Sequence, residues 1–268
     1  MKSLLLTDDA IAKELVKKMK RQIVKASHRA GEGHVPSAFS VLDLLWVLYD
    51  RIMKIDPNRP DDIAMDRFVL SKGHASLALY AVLAEKGYFP IERFHTFCKY
   101  ESYLGGHPDS TKVPGIEAST GSLGHGLPMA VGIAMGSRIR RFNNRIFCLV
   151  GDGECNEGTI WESALLAAHH RLSNLCCIVD HNHSTDRALK LGDLAEKFKS
   201  FDWDALTMPG HDHEEIYRAL SHRHENKPVV IIAETIKGHG VKCMENEPAW
   251  HHRVPKDEEM KSILAELS

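Results

Sequence analysis

The sequence predicts a three-layer α/β fold, in which a doubly wound parallel sheet has helices on both faces. Short apolar runs at residues 146–150 and 175–179 each lead directly into a polar segment, as buried parallel strands commonly do. Apolar residues at helical spacing lie between such runs, so strands and helices alternate along the chain. The 268 residues, 43% hydrophobic and 26% charged, are enough for a large core, and we expect residues 1–268 to form a single domain.

The first elements follow from spacing and capping residues. Apolar residues recur at helical spacing over residues 11–24 and predict a helix that ends near residues 26–28. Ser40, followed by Asp43 three residues later, predicts the start of a second helix. Residues 67–70 predict a short strand.

The later elements follow in the same way. A helix is predicted over residues 77–86, and residues 88–120 are so rich in turn residues that we expect a functional loop region. Residues 121–126 are expected to open a helix of small residues. A helix near residues 213–221 and a strand at residues 229–233 complete the alternation.

Composition excludes several classes of protein. The formal net charge is -2, so no basic surplus indicates a nucleic acid partner or an anionic membrane surface. No apolar run approaches the length of a membrane span, and no signal-peptide pattern is present. The six cysteines show no C-x-x-C spacing, which predicts neither a zinc site nor a disulfide framework. We expect a cytoplasmic protein with reduced thiols.

Polar residues follow both strands of the central pair. Asp152 comes directly after the first apolar run, and Asn182 comes shortly after the second. A carboxylate and an amide oxygen delivered side by side suit Mg²⁺, which completes its octahedron with phosphate oxygens and water. Gly151 and Gly153 allow the backbone to approach a diphosphate. The alternative is a plain strand–turn–helix with a solvated Asp-Gly turn.

Histidine is unusually frequent, with 17 copies. A histidine next to glycine is rarely a core residue, because the backbone there forms a turn or loop. The histidines that directly follow a glycine are His34, His74, His107, His125, His211 and His239. We expect some of these to be functional and others to lie at the surface.

Taken in order, these motifs resemble the amino-terminal, pyrophosphate-binding domain of transketolase from about residue 8 to residue 260. More narrowly, the chain resembles the free-standing N-terminal subunits of split transketolases. The motifs that carry the resemblance are residues 31–34, 71–74, 104–108, 119–126, 151–158, 179–182, 210–212 and 250–251. The resemblance implies thiamine diphosphate and Mg²⁺ as cofactors.

The resemblance also implies roles for residues around the diphosphate. Asp152 and Asn182 match metal ligands, with the backbone carbonyl of Ser184 as a third. Gly153 is expected to approach the diphosphate through its N–H, with Gly151 beside it. Asn182 is also expected to bind cofactor.

Further roles concern the histidines and the pyrimidine ring. His74 matches a histidine that contacts the cofactor phosphates, and His34 and His107 match histidines that bind the donor's hydroxyl groups. Such histidines serve a reaction that breaks a bond beside a hydroxyl, because imidazole can move protons near neutral pH. The resemblance places His251 near both diphosphate and substrate. The segment containing Gly121 and Leu123 matches one that lies along the aminopyrimidine.

Three positions depart from the family pattern. Residues 35–37 stand where many relatives have a glycine-rich segment of small residues. We expect this difference to reshape the sugar end of the pocket. His125 stands where many full-length transketolases have glutamine. His252 replaces a common glycine, so that the sequence leaves open whether His251 or His252 reaches the site.

The resemblance implies a partner chain. The family's catalytic glutamate belongs to a following pyrimidine-binding domain that this sequence lacks. We therefore expect a C-terminal transketolase subunit, with pyrimidine-binding and C-terminal domains, in an α2β2 assembly that acts on sugar phosphates. We expect two copies of this chain to meet through the small-residue helix at Ala130–Gly136 and the segment around Glu162.

The expected reaction is transfer of a two-carbon ketol unit from a ketose phosphate to an aldose. Four alternatives remain at this stage: a transketolase-like enzyme with an unusual acceptor, an E1 α-type subunit of a 2-oxo-acid dehydrogenase, a non-catalytic cofactor-binding subunit, and a metal hydrolase. The hydroxyl-binding histidines argue against the dehydrogenase, and no compact ligand spacing such as H-E-x-x-H supports the hydrolase.

Overall fold

A parallel five-stranded sheet forms the centre of the protein. It is seen in a computed structural model that describes residues 9–186 and 188–268. In spatial order the strands are β1-β2-β3-β5-β4, and every neighbouring pair is parallel. Their bounds are β1 Arg67–Leu70, β2 Ile146–Gly151, β3 Leu175–His181, β4 Asp204–Pro209 and β5 Val229–Glu234. The predicted α/β fold class is confirmed.

Helices cover both faces of this sheet. Their bounds are α1 Asp9–Ala30, α2 Val35–Val47, α3 Ser76–Glu85, α4 Gly126–Ile139, α5 Gly158–His169, α6 Leu194–Ser200, α7 His213–Ser221 and α8 Asp257–Glu266. One face packs against α1, α2, α3, α7 and α8, and the other packs against α4, α5 and α6. In the part of the chain that has been described, no helix is both long and apolar enough to cross a membrane.

Alternation along the strands divides the core between the two faces. Phe147 and Leu149 of β2 belong to the first hydrophobic cluster, and Cys148 and Val150 belong to the second. Neighbouring side chains of a strand point to opposite faces, so a strand covered on both sides is apolar throughout, as β2 is. Each fully buried side chain of this size contributes about 1.5–3 kcal/mol. The six cysteines are all free.

The register brings the ends of the central strands together. Gly151, the last residue of β2, pairs with Asp180 in β3, and His181 pairs with Glu234 at the end of β5. Residues that follow these strands therefore emerge at one carboxyl edge. In open parallel sheets this edge is where ligands bind.

The second helix begins earlier than the sequence predicts. We predicted Ser40 as its capping residue, but α2 starts at Val35 with His34 in the capping position and Pro36 in the first turn, where proline is tolerated. Ser40 is buried within the helix and donates a hydrogen bond to Asp180. The capping prediction is wrong because the hydroxyl serves a tertiary contact.

Two elements have no counterpart in the sequence predictions. The strand β4 is an edge strand in which five of the six residues are at least partly exposed and the last is a proline, so it lacks the apolar run of a buried strand. The helix α6 has only seven residues. The small-residue helix starts at Gly126 and not at residue 121. Residues 88–120 are irregular as predicted, apart from a 3₁₀ segment at Ile91–Thr96.

Candidate active site

A cavity of about 110 Å³ lies at the carboxyl edge of the sheet. Eight of the predicted site residues line it: His74, Leu123, Gly151, Asp152, Gly153, Asn182, Ser184 and His251. A wider cavity of about 390 Å³ shares Asn182, Ser184, Lys237 and His251 with it. The fold thus gathers residues that are far apart in sequence at one opening.

Asp152 has one carboxylate oxygen with partners and one without. Its Oδ1 accepts hydrogen bonds from the Gly153 N–H at 2.7 Å and from the Ser184 hydroxyl at 3.4 Å. Its Oδ2 is buried and has no hydrogen-bond donor. Burial and the nearby charge of Asp180 raise the pKa of Asp152. A buried, unpaired carboxylate oxygen is costly, and a hard cation is a suitable partner for it.

Asn182 and Ser184 are held beside this carboxylate. The Asn182 amide group donates to Asp180 at 2.8 Å, which turns its Oδ1 toward the backbone N–H of Ser184 at 3.1 Å. An amide oxygen has a second lone pair, so Asn182 retains capacity to bind a cation. The donor set of carboxylate, amide and serine oxygens fits Mg²⁺.

The Gly153 N–H donates to Asp152 Oδ1 within the same turn at 2.7 Å. Its approach to a diphosphate stays a prediction. Gly153 nevertheless lines the cavity.

Asp180 is a buried carboxylate at the centre of a hydrogen-bond network that the sequence did not indicate. Its side chain is fully buried and accepts hydrogen bonds from Ser40, Lys72, Asn182 and Thr235. Burial raises the pKa of Asp180, but the charge and hydrogen bond of Lys72 outweigh this effect and hold the pKa below its usual value. Asp180 therefore ties β1, α2 and β5 to the end of β3.

Glu154 makes a second buried connection that the sequence did not indicate. Its carboxylate accepts from the Ser71 hydroxyl, from the Gly124 N–H at 2.8 Å and from the Gly151 N–H at 3.1 Å. Burial raises the pKa of Glu154. The contacts hold the segment before α4 against the end of β2.

Three predicted histidines form one cluster. The ring centroid of His34 lies 5.2 Å from those of both His74 and His251, and His74 and His251 are 5.8 Å apart. Burial, followed by neighbouring imidazoles, lowers the pKa of His34 to about 4. Burial and the charge of Lys72 lower the pKa of His74 to about 2. These rings are therefore neutral near pH 7.

His107 and Gly121 lie together near this cluster. Gly121 has φ +152°, and a Cβ atom there would be 3.0 Å from the His107 ring, so the backbone passes close to that imidazole. The Tyr80 hydroxyl donates to the His107 carbonyl at 2.9 Å. His107 is exposed, and its charge contributes to the lowered pKa of His34.

The structure distinguishes between the histidines whose roles the sequence left open. His251 lines both cavities, whereas His252 pairs with Glu32 at 2.5 Å and packs on His34 with ring centroids 4.4 Å apart. His125 is exposed. His239 lies outside both cavity linings and stacks on His211 with ring centroids 3.7 Å apart.

Lys237 is a cationic residue of the site that sequence reasoning missed. It is 8% exposed, lines both cavities and lies with its Nζ 2.8 Å from His251 Nδ1. Burial, followed by the charge of Lys72, lowers the pKa of Lys237 to about 8. The available signal was a lysine shortly after β5, at the same edge as Asp152.

A parallel sheet with a cationic, glycine-lined cavity at its carboxyl edge defines a binding domain for an anionic cofactor. Residues 11–267 match the family model described as "Transketolase, thiamine diphosphate binding domain". The chain belongs to this family.

Relatives of similar length are named as transketolase subunits. The chain is 37% identical over 259 residues to a subunit of the apulose-4-phosphate transketolase of Phocaeicola vulgatus, covering 94% of this chain and 92% of that protein. It is 40% identical over 246 residues to the "6-deoxy-6-sulfo-D-fructose transketolase subunit SqwG" of Clostridium sp., covering 89% and 90%. The predicted similarity to N-terminal subunits of split transketolases is confirmed.

Solved transketolases share the fold. The transketolase of Campylobacter jejuni superposes with a TM-score of 0.89 at 29% identity, over 97% of this chain. The chain spans only 43% of the length of that protein.

Proposed function

We propose that this chain is the N-terminal subunit of a thiamine-diphosphate-dependent transketolase. Together with a separate C-terminal subunit it transfers a two-carbon ketol unit from a ketose phosphate to an aldose acceptor. The observation that carries this proposal is the cavity at the carboxyl edge, where the unpartnered oxygen of Asp152 lies on the same lining as Lys237 and two clustered histidines. The cavity offers binding groups for a cation, an anion and a sugar.

In this proposal Mg²⁺ is held by Asp152, Asn182 and Ser184. The positive charge of Lys237 attracts the diphosphate, and His74 and the backbone at Gly151 and Gly153 line its path. Leu123 and Gly121 would hold the pyrimidine ring of the cofactor. Thiamine diphosphate, when bound, supplies the electron sink for breaking and re-forming a carbon–carbon bond.

His34, His107 and His251 act on the sugar. The low pKa values of His34 and His251, both about 4, keep their imidazoles neutral. A neutral imidazole has a lone pair that accepts a hydrogen bond or a proton from a sugar hydroxyl. These three histidines orient the donor's hydroxyl groups and move protons at its oxygen atoms.

The partner is proposed to be a chain with the pyrimidine-binding and C-terminal domains. Both relatives of similar length are named as subunits, which supports this arrangement. We propose an α2β2 assembly located in the cytoplasm, with residues 1–268 as one pyrophosphate-binding domain.

The second candidate function is ketol transfer between a donor and an acceptor that differ from the common transketolase substrates. The relatives are named for apulose-4-phosphate and 6-deoxy-6-sulfo-D-fructose, two different ketoses. His252, which stands where the family commonly has glycine, pairs with Glu32 and packs on His34. This difference beside a proposed sugar-binding histidine supports a donor or acceptor other than the common transketolase substrates. The transketolase family match argues against the 2-oxo-acid dehydrogenase alternative.

The test is an assay of ketol transfer with the purified chain, thiamine diphosphate, Mg²⁺ and a panel of ketose phosphates and aldoses. We expect turnover only when the C-terminal subunit is added. Turnover by this chain alone would contradict the two-subunit proposal, and 2-oxo-acid decarboxylation by the pair would favour the dehydrogenase.

A further inference from the structure

Three side chains of the kind that bind metal ions lie at the carboxyl edge of the sheet, on the face opposite to Asp180. We propose that His181, His183 and Glu234 form a binding site for a transition-metal ion of the zinc type. In the part of the chain that the structure describes, one ligand atom from each of these residues lies within 4.8 Å of the other two.

The three side chains already face one another. Glu234 Oε1 lies 2.7 Å from His181 Nδ1, and Glu234 Oε2 lies 3.0 Å from His183 Nε2. The ring centroids of His181 and His183 are 4.1 Å apart. Zinc binds imidazole nitrogen and carboxylate oxygen at about 2.0–2.2 Å, so an ion between these atoms requires only a small outward movement of the side chains.

Asp186 orients one of the imidazoles. Its Oδ2 lies 3.1 Å from His183 Nδ1, so a proton on Nδ1 is donated to Asp186. His183 Nε2 faces Glu234 Oε2 at 3.0 Å, and Nε2 would give up the proton of that contact on binding the ion. Metal-bound histidines commonly donate their other N–H to a carboxylate, and Asp186 provides this partner before any ion is present.

Strand geometry separates this group from the predicted magnesium ligands. Side chains alternate along β3, so Asp180 points to the side of Lys72 and Thr235, and His181 points to the opposite side. His181 and Glu234 are direct neighbours on β3 and β5. Imidazole ligands select zinc, nickel or copper, whereas Mg²⁺ prefers oxygen atoms. The two sites therefore differ in chemistry as well as in direction.

Another group of possible metal ligands, Asp43, His211 and His239, is less suited to an ion than the proposed site. We call it the Asp43 group. His211 Nε2 accepts a hydrogen bond from the Ile236 N–H, and its Nδ1 faces Asp43. The other Asp43 oxygen is bound by His213. Asp43 and His211 are thus held by His213 and Ile236, which lie outside the group, and an ion would have to break these contacts.

An ion at the proposed site would connect the ends of β3 and β5. Asn182 lies between the two histidine ligands, and Ser184 follows them. Bound metal would therefore restrain the segment that carries two of the predicted magnesium ligands. His183 and Asp186 also line the 390 Å³ cavity, so that the ion can enter from solvent.

The experiment is titration of the untagged full-length chain with Zn²⁺ in excess Mg²⁺, followed by calorimetry, and with Co²⁺ as a spectroscopic probe. We expect one bound ion per chain and a visible Co²⁺ band from coordination by nitrogen and oxygen. His183→Ala and Glu234→Gln should abolish this binding. Asp186→Asn should weaken it by about tenfold or more, because it removes the group that orients a ligand.

Two variants serve as matched controls. His169→Ala removes an exposed histidine in α5. His239→Ala removes a histidine of the Asp43 group. Both should bind Zn²⁺ as the unmodified chain does. Melting temperatures without metal establish that all variants fold. Equal Zn²⁺ stoichiometry and affinity in His183→Ala, or loss of binding in His239→Ala alone, would overturn the proposal.

Discussion

At the scale of single residues, Asp152 presents a buried carboxylate oxygen without a donor. Asp152→Ala should remove most of the Mg²⁺-dependent affinity for thiamine diphosphate, because an anionic ligand of the cation is lost. Calorimetry on the chain assembled with its partner, with and without Mg²⁺, measures this effect. Asp61→Ala, in an exposed turn, is the control. Equal cofactor affinity in Asp152→Ala would count against the metal assignment.

His34 and His107 should act on substrate and not on folding. Alanine at either position should lower kcat/KM for the ketose donor by about 10²–10⁴-fold, the usual range for loss of a general acid or base. Cofactor affinity and melting temperature should change little. His169→Ala controls for removal of an exposed histidine. A large loss of stability with normal kinetics would show that the two histidines are structural.

The lowered pKa of His34 predicts that the stability of the fold depends on pH. Its pKa is about 4 in the folded chain and about 6.5 in an unfolded one. Between these values the unfolded chain binds more protons, so the stabilising effect of a neutral His34 is complete above about pH 6.5 and is lost as the pH falls toward about 4.

Urea unfolding at about pH 7 and about pH 5 tests this dependence. The free energy of unfolding should fall less between these pH values in His34→Gln, which cannot titrate. An equal fall in both proteins would exclude His34 as a contributor.

At the scale of elements, the Lys72–Asp180 ion pair joins the segment after β1 to the end of β3. Both side chains are almost fully buried. Lys72→Met leaves the Asp180 carboxylate buried without its cation and should destabilise the fold by about 3–5 kcal/mol. The double variant Lys72→Met/Asp180→Asn should recover part of this loss.

Denaturant unfolding measures both variants. The surface pair of Lys199 and Glu196 is half-exposed or more, and Lys199→Met should leave stability nearly unchanged. If Lys72→Met is as stable as the Lys199→Met control, the buried pair does not hold these elements together.

The elements differ in how well the sequence predicts them. The strands β2 and β3 are apolar throughout because both faces are covered, and local patterns identify them. The strand β4 has half-exposed residues and depends on pairing with β5. The start of α2 was misplaced because Ser40 bonds to Asp180, a residue 140 positions away in sequence.

At the scale of the whole molecule, α4 and α5 leave a small-residue and apolar surface uncovered in the described chain. Leu165 is 61% exposed and Ile139 is 80% exposed. A Cβ atom added at Gly132 or Gly136 meets no other atom within 4 Å. This surface coincides with the one through which we expect two copies of the chain to meet.

Gly132→Arg should therefore prevent self-association without disturbing the fold. The arginine has space in the isolated chain but fills the expected interface with a charged side chain. Light scattering on the assembled enzyme should report α2β2 for the unmodified protein and for the control Gly132→Ala, and a smaller mass for Gly132→Arg. An unchanged mass in Gly132→Arg would place the interface elsewhere.

The sequence by itself determined the fold class, the family and the positions of the predicted magnesium ligands. These features depend on local patterns: apolar runs that end in Asp152 and near Asn182, and histidines that follow glycine. Most of the predicted cavity residues could be named because each lies just after a strand or within a motif.

Tertiary structure decided how these residues are supported. Asp180, Glu154 and Lys237 are buried polar groups whose partners come from other elements, and no local pattern marks such partners. The distinction between His251 and His252 likewise depends on which ring faces the cavity. Burial, ion pairing and cavity shape arise from contacts between distant segments, and only the folded chain brings those segments together.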